Sequence, residues 1–328
     1  MPISAPTAMS IALPFLSVII PIYNGEADIP DLVSCLWRQT YPAAQVEYLL
    51  VDNNSGDRTF SLLQAFAAKS QAQGITLKPL QEATIQSSYA ARNAGIRAAQ
   101  GPVLVFTDAD CRPHPDWLEH LIKPLADPAV GLVAGEVRAF PSRNLLETYA
   151  DRQATLSQTH TLAHPFRPYG QTANLAVRRQ VLLQAGLFRP YLTTGGDADL
   201  CWRVLATEQW KIAFAETALV HHRHRSTLAE LHRQWRRYGQ SNRYLHELHG
   251  VVLTRELTPQ DYLHRWGRWL LKEIPKGLLA TMQGKGDPVS FVETPLSLLC
   301  TRARSQGQRQ ARLPEKAHEI DWLPDGLE

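Results

Sequence analysis

Val103-Leu104-Val105-Phe106-Thr107-Asp108-Ala109-Asp110 is a buried-type strand that runs straight into an acidic triplet. Four consecutive apolar residues have little use for two carboxylates at their carboxyl end unless something positive sits there. Carboxylates are favoured ligands of hard divalent cations, and Mg²⁺ is typically held by one or two of them together with substrate phosphates. In an open parallel sheet, ligands bind outside the carboxyl ends of the strands. The stretch therefore points to a metal–diphosphate site. Short D-x-D triplets also occur in ordinary turns and helix caps, so the surrounding chain has to decide.

Upstream, Ser17 to Ile20 forms an apolar run ending in the turn Pro21-Ile22-Tyr23-Asn24-Gly25. Ile29, Leu32, Val33, Leu36 and Trp37 then recur on one helical face, with Asp28 as cap and Pro30 in the first turn. A second strand, Tyr48 to Val51, ends in Asp52-Asn53-Asn54-Ser55-Gly56-Asp57, and a helix over Phe60–Ala68 follows. Ile75 to Leu77 reads as a third strand, and Ala90 to Ile96 as a helix. Alternating strands and helices mean βαβ units and a sheet covered on both faces. Polar residues at Tyr23-Asn24, Asp52 to Asn54 and Asp108 to Asp110 then gather at one sheet edge. Neither G-x-G-x-x-G nor G-x-x-x-x-G-K-[ST] is present, which excludes the dinucleotide and P-loop signatures.

Downstream, a helix starts near Trp117, Gly131 to Val137 reads as a strand, and Arg143 to Arg167 is mixed and mainly helical. Gly170 to Arg179 is a loop entering a short strand, and Gly195 to Arg203 opens a helix with Asp197 and Asp199 in its first turn. From about Leu228 the pattern is helical to the end, without internal repeats.

The 328 residues are 44% hydrophobic and 20% charged, a globular composition. Net charge is only +3, but His221 to Arg243 holds six arginines, four histidines and a single acid, Glu230. The remainder is slightly acidic, so a nucleic-acid coat is excluded and one basic patch facing phosphates or an anionic surface is expected. Cys35, Cys111, Cys201 and Cys300 lie far apart, which fits buried thiols in a reducing, cytoplasmic setting. The apolar stretch Ile11 to Ile22 is cut by Pro14 and Pro21 and reads as lead-in and strand rather than as a leader.

Taken in order, these motifs resemble family 2 glycosyltransferases, nucleotide-sugar enzymes of the GT-A fold. The match covers roughly residues 16 to 240. It comprises the P-x-Y-N turn (Pro21, Tyr23, Asn24, then Glu26), the V-D-[DN]-x-S-x-D loop (Val51 to Asp57) and A-R-N-x-G (Ala91 to Gly95). The D-x-D triplet, G-x-x-A-N-x-A-x-R-R (Gly170 to Arg179), G-G-x-D-x-D-L-x-x-R (Gly195 to Arg203) and Val220-His221 follow. Gln234, Arg237 and Tyr238 resemble the Q-x-x-R-W element of processive members. Two departures stand out. The family often has Glu-Asp where this chain has Gly196-Asp197. Arginine and tyrosine near Gln234 favour single-sugar transfer over polymer synthesis.

The resemblance implies an α/β GT-A fold, a mostly parallel central sheet flanked by helices, with a helical C-terminal extension. The expected division is a catalytic domain over 1–227 and the extension over 228–328. Within the former, about 15–128 would hold the nucleotide sugar and 129–227 the acceptor and the chemistry. It further implies a hexosyltransferase-type enzyme that moves a sugar from a nucleotide-diphosphate donor, a UDP-sugar first of all, to an acceptor hydroxyl with inversion. The acceptor would be a carbohydrate or lipid-linked, and the place the cytoplasm or the inner face of a membrane. Asp110, with Asp108, would hold Mg²⁺ or Mn²⁺. Pro21, Tyr23, Asn24, Glu26, Asp52, Arg92, Asp108 and His221 would contact the donor.

Asp197 would take the acceptor proton; residues two apart on a helix do not share a face, so Asp199 is left to cap or brace. His222, Arg223, His224 and Arg225 either face the diphosphate or form a solvated basic surface. A helix from Tyr262 would put Tyr262, Trp266, Trp269, Leu270 and Ile274 on one face and Arg265, Arg268 and Lys272 on another. That composition suits peripheral contact with a membrane, or equally docking on the catalytic domain. Rival readings are a sugar-phosphate nucleotidylyltransferase, which would want a glycine-rich basic amino-terminal loop, and a non-catalytic nucleotide-sugar binder, which only Gly196 supports.

Overall fold

A computed structural model describes residues 13–323; Ile11 and Ala12 of the amino-terminal stretch, and the last five residues of the extension, lie outside it. Eight strands form one sheet: β1 (Leu16–Ile22), β2 (Val46–Asp52), β3 (Thr76–Gln81), β4 (Val103–Phe106), β5 (Cys111–Pro113), β6 (Val130–Ala139), β7 (Leu175–Arg178) and β8 (Lys211–His222). Their order is β3-β2-β1-β4-β7-β6-β8-β5. β3, β2, β1 and β4 run parallel, and their carboxyl ends share the edge that carries Tyr23, Asp52 and the acidic triplet. β7 is antiparallel to both β4 and β6, while β6 and β8 are parallel. β5, too short to read from the sequence, turns back antiparallel on the end of β8 and pairs Cys111 with His222.

Two apolar layers sandwich this sheet. Helices Ile29–Trp37, Thr59–Gln71 and Trp117–Ile122 cover one face through Leu32, Val33, Leu63 and Trp117. Helices Ser88–Ala98, Arg179–Ala185 and Gly196–Ala206 cover the other through Ile96, Leu182 and Leu200. β1 and β2 are buried along their whole length, as continuous apolar runs require. Pro21 is tolerated inside β1 because β4 has stopped pairing at Ile19, leaving β1 with one neighbour there. Asp28 stands at the helix start as expected, but its side chain does not cap. Arg112 of β5 takes it instead, at 2.8 Å. All four cysteines are buried and free.

After β8 the chain enters the long helix Leu228–His249, started by a capping box in which Thr227 and Glu230 satisfy each other's backbone donors. Helix Pro288–Gln310 packs against it. The two cross at Gly239 and Gly307, where a methyl would land on the carbonyl oxygen of Arg304 or of Arg236. The final stretch is not helical throughout: Ala317 and Leu323 return to the core beside Ser88–Ala98, and Asp321 accepts from Arg97 at 2.6 Å and Asn93 at 3.0 Å. Among the described residues no helix is long and apolar enough to cross a membrane.

Glycine within a helix ordinarily costs about 1 kcal/mol against alanine, so a neutral site gains from the exchange. At Gly239 the clash outweighs that gain, since forcing atoms into a packed contact costs about 1–3 kcal/mol. Gly239→Ala should therefore lower the thermal midpoint, while Gly267→Ala, which meets nothing within 4 Å, should leave it unchanged or raise it. Equal midpoints for the two variants would show that the crossing is not close.

Candidate active site

Each strand end contributes through the loop that follows it. Asn24 has φ 49°, a left-handed conformation that asparagine tolerates better than most residues. Its Oδ1 accepts from Gly56 N–H at 2.9 Å, and its own N–H donates to Ser55 Oγ at 2.8 Å. Glu26 Oε2 accepts from Arg58 N–H and Nε at 3.1 and 3.2 Å. Asn24 and Glu26 thus clamp the turn after β1 to the loop after β2, while Tyr23 stands 56% exposed at the rim. Asp52, buried at the end of β2, accepts from Ser55 N–H at 3.2 Å and Gln81 Nε2 at 3.4 Å, which orients its carboxylate without neutralising it.

Arg92 is 3% exposed, which excludes a solvated helix face. Its guanidinium reaches Asp108 at 2.5 Å and lies 5.6 Å from the Tyr89 ring. The Asp108 carboxyl is raised above the usual value. Desolvation is the main cause, Arg92 opposes it, and the carboxylates of Asp110 and Asp197 add to it. Asp197, from a helix on the opposite side of the rim, is therefore an electrostatic neighbour of the triplet. Asp110 meets His222: its Oδ2 lies 3.1 Å from Nε2. Desolvation works against ionisation of Asp110, but the hydrogen bond and charge of His222, with Arg225 beyond, hold it down at about 2.

The structure brings His222, not His221, to the acidic triplet. Successive strand residues face opposite ways, and His221 packs on Phe140 with ring centroids 5.4 Å apart. His222 Nδ1 lies 2.8 Å from the Arg223 carbonyl oxygen, so Nδ1 carries a proton in either charge state, and Nε2 is turned toward Asp110, to which it donates when the ring is charged. The carboxylate is a donor suited to Mn²⁺ or Mg²⁺, and the added imidazole favours Mn²⁺, the softer of the two, with the carbonyl fixing the ring as outer partners of metal-ligating histidines do. Cys111 lies within the same cluster, but burial pushes its thiol far up and leaves it a poor ligand. A cavity of about 490 Å³ adjoins Asp110, lined by Arg38, Arg112, Arg223, His224 and Arg225 together with the acids Asp28, Asp31 and Glu230. Asp52, Arg92 and Asp197 do not line it, so cavity and strand-end rim meet only at Asp110.

Asp197 is held by Thr172, whose Oγ1 donates to Oδ1 at 3.1 Å and whose N–H donates to Oδ2 at 3.3 Å. Thr172 belongs to the loop Gly170–Arg179, and that loop is itself pinned by Asn174. The Asn174 side chain accepts from Trp117 Nε1 at 2.8 Å and donates to the carbonyls of Glu136 and Ala218 at 2.8 and 2.7 Å. Gly195, with φ 80°, and Gly196 lead into the helix. A Cβ at 196 would sit 2.6 Å from the Tyr89 ring, whose hydroxyl accepts the Gly196 N–H at 2.9 Å. In the sequence Tyr89 is an ordinary helix residue, Thr172 one position of the Gly170–Arg179 motif and His222 the start of the basic run to Arg225; the fold sets all three at the rim.

Asp199 turns inward and braces. Fully buried, it accepts from Arg189 Nε and Arg203 Nε at 3.0 Å each and meets His249 Nε2 at 2.9 Å. Desolvation opposes its ionisation, but His249 and the two arginines bring it to about 2.

Residues 17–192 match the family model for glycosyl transferase family 2. Glycosyltransferase AglE of Haloferax volcanii is 34% identical over 213 residues, which is 64% of this chain and 67% of AglE. Pre-mycofactocin glycosyltransferase of Mycobacterium tuberculosis is 30% identical over 220 residues, 66% of this chain and 44% of that protein. The match thus spans about half to two thirds of these curated relatives. Among solved structures, mannosyltransferase PcManGT of Pyrobaculum calidifontis, in complex with GDP-Man and Mn²⁺, superposes with a TM-score of 0.59. That alignment is 21% identical and covers 90% of this chain and 87% of the mannosyltransferase, a likeness of fold.

Because its folded pKa is depressed, Asp199 contributes stability that is complete above the unfolded value near 4 and lost as pH falls toward 2, roughly 2–3 kcal/mol in all. Asp199→Asn leaves buried guanidinium groups uncompensated and should cost about 3–5 kcal/mol in urea unfolding at neutral pH. Asp197→Asn, at a half-buried position, should cost under about 1 kcal/mol. A reversed order would exchange the roles of the two aspartates.

Proposed function

The chain belongs to glycosyl transferase family 2, and from that membership we propose that it transfers a sugar from a nucleotide-diphosphate donor to an acceptor hydroxyl with inversion. The observation that carries the reading is the convergence of Asp108, Asp110 and Asp197 at one rim of the sheet, each already oriented by a neighbour. The bound nucleotide sugar and Mn²⁺ of the mannosyltransferase with the same fold support it. Residues 1–227 serve as catalytic domain and 228–328 as extension in this scheme.

Asp110 and His222 would hold the cation, with Asp108 beside them. When bound, a divalent cation offsets the charge that builds on the departing diphosphate. Asp52 and Tyr23 receive the nucleoside at the ends of β2 and β1, the former by hydrogen bonding and the latter by stacking. Arg92 keeps the Asp108 carboxylate in place, and Arg225 adds positive charge beside Asp110. Asp197 accepts the proton of the acceptor hydroxyl, its two oxygens aimed by Thr172. Direct attack on the face opposite the leaving group then inverts the anomeric carbon. UDP-hexoses are the first donors to test, with GDP-mannose beside them, and the acceptor is a carbohydrate or lipid-linked alcohol met in the cytoplasm or at a membrane's inner face.

A donor panel assayed with Mn²⁺ or Mg²⁺ tests the scheme. Asp110→Asn should lower turnover by about 100-fold or more, on the scale expected for a metal ligand. Asp197→Asn should lose transfer by about 10²–10⁴-fold, the usual worth of a general base, while still binding the nucleotide. Turnover by Asp110→Asn at the wild-type rate would remove the metal assignment. Loss of nucleotide binding by Asp197→Asn would remove the base assignment.

Because Asp110 raises the His222 pKa against desolvation, a cation must displace a proton there. Mn²⁺ affinity, read by calorimetry with UDP present, should rise as pH climbs past the ordinary histidine value. His222→Ala should abolish this dependence and His221→Ala should not.

A further inference from the structure

The segment after the long helix folds as Pro259–Arg268, a single π-helical turn Trp269–Glu273, and Ile274–Met282. One side docks: Trp269 Nε1 donates to the Phe291 carbonyl at 2.8 Å, Thr294 donates to Glu273 at 2.6 Å, and Gly277 lies against the Phe291 ring. The π turn resets the helical phase, so the docked and free faces differ from those of one continuous α-helix. Tyr262, Trp269 and Ile274 are partly buried, while Leu263, Trp266, Leu270, Leu271, Leu278 and Met282 point outward.

Among the described residues, seven of the fifteen exposed large hydrophobic side chains fall between 263 and 282, with Leu271 at 75% and Met282 at 85% exposure. They run about 29 Å along the helix axis, at about 1.5 Å per residue. An uncovered stripe of this length marks an interaction surface. Beside it stands a row of exposed basic side chains at four-residue intervals, His264, Arg268, Lys272 and Lys276, of which Arg268 pairs with Glu273 while Lys272 and Lys276 have no acidic partner among the described residues. The acids of the segment are already engaged, Asp261 with Thr258 and Arg255, Glu273 with Arg268 and Thr294.

We propose that this stripe seats the protein on an anionic phospholipid surface, apolar side chains in the interface and the cationic row among the headgroups. An in-plane helix with apolar residues on one face and Lys/Arg on its flank has the physical form of a peripheral anchor. A tryptophan such as Trp266 favours the headgroup level, and anionic leaflets attract clustered basic residues. A two-fold contact between copies would instead bring like-charged rows together, which costs affinity.

The anchor is also tied to the site. It rests on helix Pro288–Gln310, which crosses Leu228–His249 at Gly239 and Gly307. From that second helix Arg237 holds the Thr193 carbonyl at 2.9 Å, four residues before Asp197. The proposal deepens the reading above by placing a lipid-linked acceptor at the membrane, and rests on it only for that acceptor.

The test is flotation of the full-length protein with vesicles of phosphatidylcholine alone or with about one-third phosphatidylglycerol. About tenfold more protein should float with the anionic vesicles, and high salt should reduce the difference. Leu271→Glu with Leu278→Glu should lower flotation by about tenfold, because charge on the apolar face opposes insertion. Lys272→Glu with Lys276→Glu should erase the preference for anionic lipid. Both variants should keep wild-type helicity and donor hydrolysis, so the membrane proposal fails or stands apart from the catalytic one. Wild-type protein that stays unbound on both vesicles, or an unchanged Leu271→Glu/Leu278→Glu variant, overturns the proposal. A wild-type dimer in light scattering that this variant dissolves, without flotation, would give the stripe to a second copy.

Discussion

Carboxylates crowded at one rim repel one another, and that repulsion shapes the site. Asp108, Asp110 and Asp197 stand close enough for the latter two to raise the first. The fold answers each acid with a different partner. Arg92, buried, takes Asp108; His222, at the end of β8, takes Asp110; among the described residues Asp197 receives only the neutral donors of Thr172. The residue left without a cationic partner is the one whose proposed task is to accept a proton. An arginine in that position would compete with the acceptor hydroxyl for the carboxylate, whereas the hydroxyl and amide of Thr172 fix its direction.

Much of this was legible in the sequence because it follows from continuous patterns. Apolar runs ending at Asp52 and Asp108 put those residues at strand ends, and parallel strands put the ends on one edge. Asp197 and Asp199 were separable by helical phase alone, and the structure turns Asp199 inward to Arg189 and Arg203. His221 was not separable from His222 by counting. β8 is bulged: its register against β6 steps from Ala215 opposite Gly135 to Leu219 opposite Glu136. An odd number of extra residues flips every later side chain to the other face, so alternation carried from Ile212 gives the wrong histidine. The extension departs from its expected face too: Tyr262, Trp269 and Ile274 are partly buried, but Trp266 and Leu270, expected beside them, stand exposed, and the π turn at Trp269–Glu273 breaks the period. Local irregularities of backbone period are what a periodic reading cannot hold.

Short polar side chains with tertiary partners form a second class that pattern cannot reach. Asn24 and Glu26 belong to the turn that carries the family resemblance, and each bonds the loop Ser55–Arg58 through part of its polar atoms. Their role is to fix where Tyr23 and Asp52 stand. Asn174 does the same for Thr172, joining the helix at Trp117 to β6 and β8.

Gly196 shows how a departure from the family pattern reads once the packing is known. Where a glutamate is common, this chain has no side chain, which by itself favours a binder that has lost its chemistry. The vacated space, however, is filled by the Tyr89 ring, too close for even a methyl at 196, and the Tyr89 hydroxyl takes the Gly196 amide. Tyr89 is in turn packed against Phe188 and beneath Arg92. Tyr89 thus stands as an aromatic wall between the proposed base and the arginine that holds Asp108. The substitution instead exchanges a charged neighbour of Asp197 for a rigid apolar wall. That removes one negative charge from an already crowded rim while keeping the helix that carries Asp197 in place.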